Sequence, residues 1–173
     1  MAERVLYIAL SLDGCIATRE GDVGFLDAFQ DADYGYDAFA SSIATVVCGR
    51  ATYEQVMSFG AWPYAGKRCV VVTRHALWRD APPGVEAWHD GVPALATALA
   101  EMPGRVWIIG GARLIQAFLH AGAVERLELF VMPVLLGGGI PLFPSRGQRA
   151  GLRLLESTTY ANGVLRLVYA PAA

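Results

Sequence analysis

Short apolar runs alternate with stretches of helical spacing along most of the chain, and two alternating segments close it. The runs at 5–12, 45–48, 69–73, 85–89 and 105–109 are brief and bounded by glycine, proline or charge, so they predict strands one to five. Residues 125–134 predict a sixth strand. Residues 33–42, 51–58, 90–103 and 112–121 predict helices: Tyr36, Phe39 and Ala40 share a face of the first, and Leu114, Ile115, Phe118 and Leu119 a face of the last. Asp90 is the expected N-cap of the third, with Pro93 in its first turn, while Gly104 and Gly122 stop the third and fourth. At the C-terminus, 152–160 and 164–170 predict a hairpin closed by Asn162-Gly163. Strands alternating with helices and ending in an antiparallel pair predict a three-layer α/β domain. Its expected sheet is mixed and eight-stranded, with helices on both faces.

At 173 residues, 54% hydrophobic and 17% charged, the chain suits one domain with a sizeable core. A formal net charge of −2 gives no general attraction to nucleic acid, so any phosphate recognition is local. The apolar runs are too short for a membrane span, and Met-Ala-Glu-Arg leads into a strand rather than a signal peptide. The expectation is a cytoplasmic protein with neither nucleic acid nor membrane as partner. Cys15, Cys48 and Cys69 are isolated in sequence, which argues against a metal site or a disulfide framework. Cys48 and Cys69 read as small buried hydrophobes, and His89 and His120 as surface or capping residues.

Candidate chemistry lies where strands end. Strand five passes through Ile109 into Gly110-Gly111 and straight into helix four. Glycines there let backbone approach a pyrophosphate, and the helix start offers unpaired N–H groups to an anion. A ligand-free strand-to-helix turn explains the same run equally well. Strand two likewise ends at Gly49, before Arg50-Ala51-Thr52, and strand three ends in Thr73-Arg74-His75. In a parallel sheet these three ends share one edge, where a single dinucleotide would bind.

Ser11-Leu12-Asp13-Gly14, Gly49-Arg50-x-Thr52-Tyr53-Glu54, Ile109-Gly110-Gly111 and the segment from Pro133 through Gly137-Gly138-Gly139 to Phe143, taken in order, resemble the dihydrofolate reductase-like superfamily. The branch is the one that includes the reductase domain of bacterial riboflavin biosynthesis. The resemblance runs from Val5 to Tyr169 and implies a dihydrofolate reductase-like fold with NADPH as cofactor. It also implies a division of labour. Ile109, Gly110, Gly111, Ala112, Arg113 and Leu114 would hold the pyrophosphate, and Gly49, Arg50 and Thr52 would meet the phosphates from strand two. Thr73, Arg74 and His75 would meet the adenosine ribose and its 2′-phosphate, where a guanidinium forms bidentate, charge-assisted bonds. Solvated loop arginines are the alternative reading of Arg50 and Arg74. The loop at 14–27, with Ile16, would cover the nicotinamide as a flexible lid.

Residues 58–67 lie where the family builds its substrate wall, with Phe59, Trp62 and Tyr64 as candidates. Trp62 and Tyr64 either stack on a flat heterocycle or cover a core edge. Lys67 stands where dihydrofolate reductases carry an arginine for the substrate's carboxylate, a weaker match. Two features of the riboflavin enzymes are missing: the acidic, proline-containing loop for the sugar phosphate and a preceding zinc deaminase motif. Asp13-Gly14 reads as a turn, with a catalytic carboxylate as the alternative. Asp33 and Asp37 lie near the usual proton-donating acid but outside its motif, so no donor is assigned.

The resulting expectation is an NADPH-dependent reductase that transfers hydride to a C=N or C=O bond of a small planar heterocycle, of pteridine or pyrimidine type. Among enzymes, the alternatives are 5-amino-6-(5-phosphoribosylamino)uracil reductase and a weak dihydrofolate reductase. A non-catalytic nucleotide-binding dimeric module is the alternative of another class. Strand six turns wholly apolar in its distal half and continues into an apolar, glycine-rich loop, which predicts a homodimer through both. Burial of that loop over its own sheet or cleft is the competing explanation.

Overall fold

A computed structural model describes residues 2–77, 79–143 and 149–172. Its strands are β1 (Glu3–Ser11), β2 (Cys15–Ala17), β3 (Ile43–Gly49), β4 (Arg68–Val72), β5 (Val85–Trp88), β6 (Arg105–Gly110), β7 (Arg126–Met132), β8 (Ile140–Pro141), β9 (Leu152–Thr159) and β10 (Leu165–Pro171). Eight of them form one sheet in the order β5-β4-β3-β6-β1-β7-β10-β9. Pairing is parallel from β5 to β7 and antiparallel through the C-terminal hairpin β9–β10. Val46 and Val47 are both fully buried although they point to opposite faces, as an interior parallel strand requires.

Helices α1 (Tyr36–Ser42) and α2 (Arg50–Ser58) bury Phe39 and Tyr53 against Val5, Val46 and Trp107 on one face. On the other face, α3 (Gly91–Ala100) and α4 (Ala112–His120) bury Leu95, Leu99, Ile115 and Phe118 against Leu6, Val47 and Ile108. The predicted stop of α4 is explicit. Gly122 takes φ 61°, and bonds from Ala123 N to Phe118 O (2.9 Å) and from Gly122 N to Leu119 O (3.0 Å) close the helix end. Among the described residues no helix is long and apolar enough to cross a membrane.

Several local expectations are corrected. Helix one starts at Tyr36 rather than 33, because Asp33 Oδ1 accepts from Gly35 N (2.8 Å) and Gly35 turns left-handed. Asp90 precedes α3 but its side chain makes no capping bond. The stretch at 14–27 is largely folded: β2 pairs with β8, and a 3-10 turn at Gly24–Phe29 lays Phe25, Leu26 and Phe29 on Phe130, Met132 and Val164. Strand six is β7, which is bonded to β1 on one side and β10 on the other. Its apolar distal half, Phe130 and Met132 included, is largely buried by this chain's own residues, which accounts for its apolar pattern within one chain. On the loop that follows, Leu135 and Phe143 remain exposed while Leu142 is buried.

Candidate cofactor and substrate cleft

β3 and β6 are neighbours, and each ends in glycine at the same edge of the sheet. Gly49 is the N-cap of α2 and Gly111 that of α4, and no cap side chain bonds the first amides of either helix. The two helices lie on opposite faces, so their starts flank a crevice with a backbone floor. A Cβ on Gly49 would stand 3.8 Å from Gly110 O and 3.9 Å from Gly111 N, and one on Gly111 3.4 Å from Thr52 Oγ1. The Gly110–Gly111 peptide is cis. Gly49, Thr52, Gly110 and Gly111 are thus brought together. Leu114 is committed elsewhere: its amide bonds Gly111 O (3.0 Å) and its side chain is buried in the α3–α4 core. Ala112 and Arg113 are left to present the open amides of that first turn. Ile109 is half-buried against the α1–α2 core.

Arg50 opens α2, but its guanidinium also bonds Glu54 (3.2 Å) and the Ala76 carbonyl (3.2 Å), tying the helix start to the segment after β4. Thr73 is buried, and its hydroxyl accepts from His75 N (3.1 Å). The Thr73 carbonyl lies 2.8 Å from His89 Nδ1, which must be the donor since a carbonyl only accepts. His89 therefore braces the third strand end, a role its isolation in sequence concealed. Arg74 and His75 are exposed, and among the described residues nothing pairs with the Arg74 guanidinium.

Asp13 is a clasp. Its Oδ1 accepts from Ser11 Oγ (2.6 Å) and Leu136 N (3.1 Å), and its Oδ2 from Gly137 N (2.9 Å). These bonds, that from Ser11 foremost, hold its carboxyl below the ordinary carboxylate range, so it is ionised and unsuited to donate a proton. The glycine-rich loop it grips runs against β2, and a side chain on Gly139 would overlap the Ala17 carbonyl. Gln55 of α2 reaches across to the Gly21 carbonyl (3.0 Å). Ile16, in β2, packs partly buried against the α3–α4 core.

Of the residues expected to form a substrate wall, the ring of Tyr64 lies buried between Trp62 (5.1 Å between centroids) and Trp107 (5.6 Å), which is the core-edge arrangement. Trp62 is half-buried against Tyr53 and Tyr64, and its indole N–H is enclosed with no acceptor among the described residues. Phe59 is exposed at the end of α2. Lys67 Nζ donates to Ala40 O (2.7 Å) and Ile43 O (2.8 Å), closing the C-terminal end of α1. Its ammonium is spent on that helix rather than offered to a carboxylate.

The model of one protein family, described as the RibD C-terminal domain, matches residues 5–166. Two uncharacterized proteins of Bacillus subtilis (strain 168) are similar over nearly all of both chains. YwjB is 36% identical, covering 92% of this chain and 93% of its own, and YyaP is 30% identical, covering 95% and 93%. Among solved structures, a candidate riboflavin biosynthesis protein from Shewanella sp. PV-4 superposes with a TM-score of 0.85 at 27% identity over 100% of both chains. The dihydrofolate reductase of Enterococcus faecalis, solved with NADP(H), shares the fold at a TM-score of 0.69 and 18% identity, covering 99% of this chain and 97% of its own. A bifunctional deaminase and 5-amino-6-(5-phosphoribosylamino)uracil reductase from Thermotoga maritima does so at 0.69 and 15%, over 99% of this chain and 57% of its own.

Proposed function

The chain belongs to the RibD C-terminal domain family, and on that premise we propose that it is an NADPH-dependent reductase delivering hydride to a C=N or C=O bond of a small planar heterocycle. The observation that carries this reading is the pair of glycine-headed helix starts at the ends of β3 and β6, with backbone and the Thr52 hydroxyl between them. Two sets of open amides without intervening Cβ atoms suit a pyrophosphate. The NADP(H) bound by a dihydrofolate reductase of the same fold supports the choice of cofactor. The amides of Ala112 and Arg113 and the Thr52 hydroxyl would hold the phosphates, with Arg74 beside the 2′-phosphate. When bound, NADPH supplies the hydride. Asp13 and Gln55 keep the 14–22 segment seated between the glycine-rich loop and α2, and so shape the cleft without touching protons.

A pyrimidine or a pterin without a charged tail fits better than dihydrofolate, since Lys67 is already bonded to the end of α1. Steady-state NADPH oxidation against pyrimidines, pterins and small ketones tests the reading, which expects turnover with a planar heterocycle. Cofactor binding without any turnover would favour the non-catalytic nucleotide-binding module instead. Arg74→Ala is expected to weaken NADPH binding about ten- to hundredfold and leave NADH nearly unchanged, the loss of one charge-assisted phosphate contact. Equal weakening of both in calorimetric titration would remove Arg74 from that role.

The reading extends to a cytoplasmic homodimer joined through the loop after β7, where Leu135 and Phe143 are exposed apolar side chains. Phe143→Asp is expected to dissociate it by placing an unpaired charge in the contact. Light scattering that finds the wild-type chain monomeric at high concentration contradicts the assembly.

A further inference from the structure

We propose that a cavity of about 440 Å³ beside α1 is a second binding site, taking a small aromatic anion: a flat ring bearing a phosphate or carboxylate group. It opens on the α1 face of the sheet, at the end opposite the glycine crevice. Arg105 and Arg126, which line it, are the first residues of β6 and β7, whereas Gly110 is the last of β6.

The lining carries three guanidiniums, those of Arg105, Arg126 and Arg166, against one carboxylate, Glu128. Glu128 is nearly fully buried and already committed: it accepts from Arg126 Nε (2.9 Å) and from Arg166 Nε (3.2 Å) and Nη2 (2.8 Å). Its negative charge therefore orients the arginines, and the wider network is balanced, with Arg105, Arg126 and Arg166 against Glu3, Glu128 and Glu156, so recognition of an anion rests on whichever guanidinium keeps open donors. Arg166 is fixed further by Glu156 (2.6 Å), and Arg105 by Glu3 (2.7 Å) and Ser42 (2.9 Å). Arg126 differs. Only its Nε is used, and among the described residues neither terminal nitrogen has an acceptor.

A guanidinium held by one edge, with its other donors open, is pre-organised for a carboxylate or phosphate. Tyr7, Tyr34 and Tyr160 supply aromatic wall, and Tyr34 and Tyr160 meet edge to face at 4.8 Å. The Tyr34 hydroxyl is occupied by Phe29 O and Asn162, and the Tyr7 hydroxyl points to Tyr34 O (3.4 Å). Among the described residues the Tyr160 hydroxyl has no hydrogen-bond partner, and Tyr160 lines the same cavity as Arg126, which makes it a second open donor there. Aromatic rings and open donors lining one cavity distinguish it from a solvated salt-bridge cluster.

Phenyl phosphate, benzoate and phenol titrated calorimetrically into the full chain test the proposal. One molecule of an aromatic anion per chain is expected, with phenol at least about tenfold weaker and an excess of NADPH causing no displacement. Arg126→Gln is expected to weaken anion binding at least about tenfold while melting close to wild type, since Arg166 keeps both bonds to Glu128. Should that variant not fold, Tyr160→Phe is expected to weaken binding about fivefold. Failure of both anions to bind at millimolar concentration, equal affinity for phenol, displacement by NADPH, or unchanged affinity in the folded variants would each overturn it.

Discussion

Gly111→Val is expected to reduce NADPH binding at least about hundredfold while leaving a folded chain, the equivalent of losing two charge-assisted contacts. The fold tolerates the change because Gly111 has φ −75° and ψ −170°, an extended conformation that valine favours. Its Cβ would meet Thr52 Oγ1 at 3.4 Å, and the branching methyls would occupy the gap between the two helix starts. That gap is where the proposed cofactor's pyrophosphate would reach backbone amides. Gly110 is a poorer test, since its φ of 135° would strain any side chain and confound folding with binding. Circular dichroism checks the fold and calorimetry the affinity. Wild-type affinity in a folded Gly111→Val chain would mean that the phosphates lie elsewhere.

Glu128→Ala is expected to cost roughly 3 kcal/mol of stability, towards the lower end for breaking a buried ion pair because the arginines keep some access to water. Removing the carboxylate leaves Arg126 and Arg166 facing each other across an emptied, nearly buried site. Burial would raise the Glu128 carboxyl, but hydrogen bonds and charge from Arg126 and Arg166 outweigh that and hold it below the ordinary range. The sign follows from the direction. A depressed carboxyl adds stability above its unfolded pKa, and this is lost as pH falls through the folded value. Urea unfolding should therefore show a gap between wild type and Glu128→Ala that is full at neutral pH and narrows on acidification. A difference below about 1 kcal/mol at pH 7, or a gap that widens in acid, would contradict this account.

The parts of the fold legible in the sequence were those written locally. Gly110-Gly111 and Gly49 follow apolar strands directly and precede helices, and the structure sets both at one sheet edge. Gly122 follows the end of α4 with positive φ, as its position implied, whereas α3 stops earlier than expected, at Ala100, and Gly104 turns the chain into β6 instead. What sequence concealed were contacts between distant segments. Asp13 grips Gly137 from 124 positions away, β2 finds β8 across the chain, and Lys67 bonds the end of α1 instead of awaiting a substrate. The apolar half of strand six suggested an interface because a single sequence cannot say which segment covers it. The covering residues, Phe25, Leu26 and Phe29, belong to the stretch expected to be a lid. Tyr64 was ambiguous for the same reason: a ring packed edge to face against Trp107 and a ring stacked on a ligand leave the same trace in sequence.

In the proposed reading, the crevice between Gly49 and Gly111 receives the pyrophosphate of NADPH. Calorimetric titration of NADPH and NADH into the wild-type chain tests it most directly. One NADPH per chain is expected, with NADH at least about tenfold weaker for want of the 2′-phosphate contact at Arg74. No NADPH binding at millimolar concentration, or equal affinity for the two nucleotides, would contradict it.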